Sequence, residues 1–64
     1  MAWINASLQQ QFRVMGRFHR ENEATEYGIF DTYSGARTYI AYRSAEYREH
    51  LALPPNFWIE VINS

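Results

Sequence analysis

Hydrolysis by a side chain needs a nucleophile, a base and an acid that orients the base. By type the sequence offers Ser34, His19 or His50, and Asp31. Their setting argues against that chemistry. No glycine elbow frames any serine, and Ser34 lies in Tyr33-Ser34-Gly35-Ala36, where serine is an ordinary turn residue. Glu46 and His50 are four apart, the spacing of an ion pair on one helix face. Two such ligands without a third hold zinc poorly. Gly16, Gly28 and Gly35 are isolated from one another, so no phosphate-cradling loop is spelled out. Gly16 and Gly28 read instead as marks of a bulge or a close backbone approach in a sheet. Cysteine is absent, which excludes a disulfide scaffold and a cysteine-based zinc site. The chain therefore reads as non-enzymatic, without cofactor or metal site.

Binding is better supported than catalysis. All six positive charges are arginine and none is lysine. The guanidinium fork suits bidentate contacts and stacking on aromatic rings, although a codon bias against lysine gives the same count. At a formal charge of −1, a purely electrostatic grip on a nucleic-acid backbone is not favoured. Charge is nonetheless segregated. Residues 12–20 carry Arg13, Arg17 and Arg20 without an acid; residues 21–31 carry Glu21, Glu23, Glu26 and Asp31 without a base. Eleven of the 64 residues are aromatic, and each can bury ~150–250 Å². A core this small cannot enclose them all, so some of Trp3, Tyr27, Tyr33, Tyr39, Phe57 and Trp58 must lie near the surface. Clustered exposed aromatics mark contact sites. Trp58 reads as a lid over the open end of the core.

These residues need elements to hold them. Sixty-four residues make a single domain, 1–64, near the lower size limit, burying about 60% of its unfolded surface. No apolar run approaches the ~18 residues of a membrane-spanning helix, and Met1-Ala2-Trp3-Ile4-Asn5 lacks the regions of a signal peptide. A soluble, cytoplasmic protein without a membrane partner is the expectation. In residues 11–20, Phe12, Val14, Gly16 and Phe18 alternate with Arg13, Met15, Arg17 and His19, the period of a half-buried strand. A polar loop at 21–25 leads to a second strand over about 26–33. Tyr33-Ser34-Gly35-Ala36 is a tight-turn signal, with glycine supplying a positive φ. A third strand over about 37–43 sets Thr38, Ile40 and Tyr42 opposite Arg37, Tyr39 and Arg43. Ser44 then caps a short helix in which Tyr47 and Leu51 share a face, and Pro54-Pro55 stops it. The run Phe57-Trp58-Ile59-Glu60-Val61-Ile62 is a last strand. Ser7 with Gln10 forms a capping-box pattern, although Trp3-Ile4 could equally extend a sheet edge.

The expected architecture is α+β and β-rich. It is an antiparallel sheet of about four strands with one short helix on one face, in the order β-β-β-α-β. A small open β-barrel is the alternative. The core falls on Phe12, Val14, Phe18, Ile29, Ile40, Tyr42, Leu51, Ile59 and Val61. In layout, RTYIAYRSAEYREHL running into a last apolar strand resembles small phycobilisome linker domains over about half of the chain. That family places a glycine-glycine-lysine run before the final strand, where this sequence has Pro54-Pro55-Asn56. No functional residue follows from the resemblance.

If the period-two facing holds, one sheet surface gathers Arg13, Arg17, His19, Arg37, Tyr39 and Arg43. The first expectation is a non-enzymatic interaction module, a small inhibitor or accessory subunit of phage type, docking on a larger protein or ribonucleoprotein. The alternative is a single-stranded nucleic-acid binder on the same face. A homodimer through edge strands is compatible with both.

Overall fold

A computed structural model describes residues 9–63. The elements are β1 (Gln10–Arg17), β2 (Thr25–Phe30), α1 (Tyr33–Glu49) and β3 (Asn56–Asn63). β1 is central in an open antiparallel sheet of order β2-β1-β3. The result is a small α+β fold with three strands and one helix. Among the described residues the sheet is open rather than a closed barrel, with β2 and β3 as its edge strands. The expectations for Trp3, Ile4 and Ser7 lie outside the described residues.

Two changes separate this fold from the expected order. The segment expected to form a turn at 33–36 and a strand at 37–43 is the first two thirds of α1, and the helix is long rather than short. Its N-cap is Thr32, not Ser44. Thr32 has extended backbone, and its Oγ1 accepts a hydrogen bond of 2.9 Å from the Gly35 amide. That bond satisfies a donor the helix would otherwise leave unpaired. Gly35 is helical, and no glycine among the described residues has positive φ. Thr38-Tyr39-Ile40-Ala41-Tyr42 alternates loosely, but the positions shielded from solvent are Gly35, Ala36, Tyr39, Ile40, Arg43, Ser44, Glu46 and Tyr47. Their spacing of three and four is that of one helix face.

The helix ends before the prolines reach it. His50 is the C-cap; the Leu51 amide donates to Arg48 O at 3.0 Å and the Ala52 amide to Tyr47 O at 2.8 Å. This pair of bonds is a Schellman motif, whose next residue sits in the left-handed region. Leu51 occupies that place with φ 57°, where glycine is usual.

The helix lies over β1 and β2. Val14 and Ala36 are fully buried and form the centre of the core. Around them are ring pairs: Phe12 with Tyr33, Phe18 with Tyr47, Tyr27 with Phe57 and Phe30 with Tyr39, at centroid distances of 5.2–6.0 Å. Such edge and tilted pairs add about 0.5–1.5 kcal/mol each beyond their burial. Two glycines do what their isolation suggested. Register slips between Val14 and Met15, leaving Tyr27 as the extra residue of a bulge beside Gly28. A Cβ on Gly16 would lie 2.9 Å from the Tyr27 ring and 3.1 Å from Phe57, so Gly16 is the gap that those two rings fill. The expected core is corrected at four positions. Ile29, Tyr42, Leu51 and Val61 are exposed. Ile29 shares the face of Arg13, away from the helix, and Val61 is on the edge strand β3. Tyr42 points away from the sheet, and Leu51 follows the end of the helix.

Candidate functional site

Antiparallel register sorts the strand side chains into two faces, because directly opposed residues share a side. On the helix side, Phe12 aligns with Phe30 and Val61, Val14 with Gly28 and Ile59, and Gly16 with Phe57. On the other side, Arg13 aligns with Ile29 and Glu60, and Met15 with Glu26 and Trp58. Gln11 faces Ile62 there and Arg17 faces Asn56. No described element packs on this second face.

Its centre is a charge network spanning all three strands. Arg13 Nε lies 3.2 Å from Glu26 Oε1 on β2, and Arg13 Nη1 donates to Glu60 Oε1 on β3 at 3.3 Å. Glu60 Oε2 accepts from the Trp58 indole N–H at 3.1 Å. The guanidinium is thus held between two carboxylates, and one of them fixes the indole. All three charged side chains are partly solvated, so each pair stabilises the fold by no more than about 1 kcal/mol. The network orients the face more than it secures it. Beside it lie Met15, Ile62 and the half-exposed Ile29.

The structure divides the six residues singled out in the sequence. Arg13 and Arg17 are on the open face. Arg17 is exposed at the end of β1 and pairs with no described acid, whereas the charge of Arg13 is already balanced. His19 is exposed in the loop after β1. Arg37, Tyr39 and Arg43 are not on the sheet, because the segment that carries them is helical. Arg37 is solvent-facing. Tyr39 packs on Phe30, and Arg43 Nη1 donates to Glu46 at 3.1 Å with its guanidinium over the Tyr47 ring. The single arginine–tyrosine surface expected from period two does not form. Trp58 does not lid the helix-side core; it lies on the opposite face. Glu26, Glu60, Trp58, Met15 and Ile62 were not among the expected site residues. The parity of Trp58, Glu60 and Ile62 was visible in the last strand, but their side relative to Arg13 depends on register.

A shallow groove of about 400 Å³ lies at the end of α1, lined by Arg43, Glu46, Tyr47, His50 and Ala52. Glu46 turns its carboxylate to Arg43, while His50 Nδ1 meets the backbone oxygen of Glu46 at 3.0 Å. The ion pair that the Glu46–His50 spacing permits is therefore not made. Burial raises the Tyr27 phenol above its ordinary pKa, and the neighbouring Tyr47 adds to that. Ser34 and His50 lie at opposite ends of α1, about 24 Å apart along its axis. No cluster of three or more His, Asp or Glu side chains suited to a metal occurs among the described residues. No described helix is long and apolar enough to cross a membrane.

Comparison with protein-family models, with curated proteins and with solved structures gives no match.

Proposed function

We propose that the chain is a protein-interaction module, a small inhibitor or accessory subunit, that docks on a larger protein through the open face of its sheet. The observation that carries this reading is the contrast between the two sides. The helix covers one, while the other presents Trp58, Met15, Ile62 and Ile29 around an ordered Arg13 network. Interfaces favour this composition, with an aromatic and a methionine at the centre and arginine among them. The charges of the face are Arg13 and Arg17 against Glu26 and Glu60, so it exerts no net pull on a phosphate backbone. A partner of mixed apolar and polar character, close to neutral, fits it best.

The test is capture from the native host by the immobilised chain, read by quantitative mass spectrometry with and without nuclease. Arg17→Ala with Ile29→Ser alters exposed positions of the open face. Arg37→Ala with Tyr42→Ala alters exposed positions on the outer side of α1. A partner held by the native chain and by the helix pair, but reduced at least ~10-fold by the sheet pair, supports the reading. Equal capture by the sheet pair overturns it, and capture abolished by nuclease moves the function to nucleic acid.

A further inference from the structure

We propose that β3 is a self-association edge, and that two copies of the chain pair β3 to β3 about a two-fold axis. The two edges of the sheet differ. β2 is six residues long and is broken by the bulge at Tyr27. β3 is eight residues long and pairs with β1 in one unbroken register. Its only charge is Glu60, whose carboxylate is turned to Arg13 and Trp58. Sheet edges are ordinarily protected by shortness, a bulge, an interior proline or lysines. β3 has none of these. The helix lies over β1 and β2, which leaves Val61 on β3 half exposed.

A second copy fits this edge because the strand is complementary to itself. Antiparallel pairing about a two-fold places opposed residues on the same face. Centred on Ile59, it sets Ile59 against Ile59, Phe57 against Val61 and Asn56 against Ile62. Trp58 then faces Glu60, so the indole N–H and the carboxylate of different copies are neighbours. Centring on Glu60 would instead oppose two like charges, which is destabilising. Within the eight residues of β3 only the centres Ile59 and Glu60 pair seven residues of each copy, so strand length and charge together select the register centred on Ile59. The product is a six-stranded sheet with both helices on one side, on which Phe57, Ile59 and Val61 gain lateral cover. This uses the edge rather than the open face, and therefore stands or falls apart from the docking reading above.

Sedimentation velocity of the native chain from about 5 to about 500 µM should show a shift from monomer to dimer. A single cysteine then reads the register, because the native sequence has none. Opposed Cα atoms about 4.5–5.5 Å apart suit a disulfide, so Ile59→Cys should cross-link under mild oxidation. Val61→Cys places its two sulfurs on residues about 13 Å apart along the strands, and should cross-link at least ~10-fold more slowly. If Ile59→Cys does not fold, mixed Trp58→Cys and Glu60→Cys chains test the same register. A native chain that stays monomeric over the whole range overturns the proposal. Cross-linking of Val61→Cys as fast as either register probe overturns it too.

Discussion

Leu51 sits at φ 57° with 96% of its surface exposed. The left-handed conformation costs a non-glycine residue about 1–2 kcal/mol, because its Cβ crowds the following carbonyl. The Schellman bonds from Leu51 to Arg48 and from Ala52 to Tyr47 hold it there. In Leu51→Gly the crowding vanishes and almost no burial is forfeited. The greater freedom of glycine in the unfolded chain takes back about 0.5–1 kcal/mol. The net expectation is a stabilisation of about 0.5–1 kcal/mol, or a rise in Tm of about 3–6 °C for a domain of this size. Thermal melts by circular dichroism, with urea titrations at one fixed low protein concentration, measure it. The urea midpoint should rise with an unchanged slope. An unchanged or lowered Tm would refute the reasoning, since it would mean that the leucine makes contacts worth more than its strain.

Three further perturbations probe the elements. Thr32→Ala removes the cap on Gly35 and should cost about 1 kcal/mol, while Thr32→Asp keeps most of it; urea midpoints separate the two. Gly16→Ala drives a methyl to 2.9 Å from the Tyr27 ring. It should destabilise by about 1–3 kcal/mol by prising apart the Tyr27–Phe57 pair, which near-ultraviolet circular dichroism would register as lost ring asymmetry. The raised pKa of Tyr27, caused first by burial and then by Tyr47, means that the folded state favours the protonated phenol. Its contribution is complete below the ordinary phenol pKa of about 10 and is lost as pH rises through the raised value. Stability should fall on that alkaline side, and Tyr27→Phe should flatten the fall.

The first strand is legible because it is amphipathic on a period of two. Phe12, Val14 and Gly16 alternate with Arg13, Met15 and Arg17, and that facing is the one the sheet uses. The helix is hidden where its sequence satisfies two periods at once. Thr38, Ile40 and Tyr42 alternate like a strand, while Ala36, Ile40, Arg43 and Tyr47 also follow a helix. Thr32 with the Gly35 amide, a bond between side chain and backbone, decides for the helix. Gly35 invited a hairpin, yet the residue that takes positive φ is Leu51, where the helix end rather than residue preference sets the backbone. Half of the expected site belongs to that helix: Arg37, Tyr39 and Arg43 left the sheet. What replaced them, Glu26, Glu60 and Trp58 around Arg13, is a product of register across three strands, which no single stretch of sequence contains.

The docking role of the open sheet face is tested most directly by hydroxyl-radical footprinting of the chain, free and bound to its captured partner. Met15 and Trp58 lie on that face, whereas Tyr42 lies on the outer side of the helix with 63% of its surface exposed. Docking through the open face should leave Met15 and Trp58 less reactive in the complex while Tyr42 keeps its reactivity. Protection of Tyr42 with Met15 and Trp58 unchanged would contradict it.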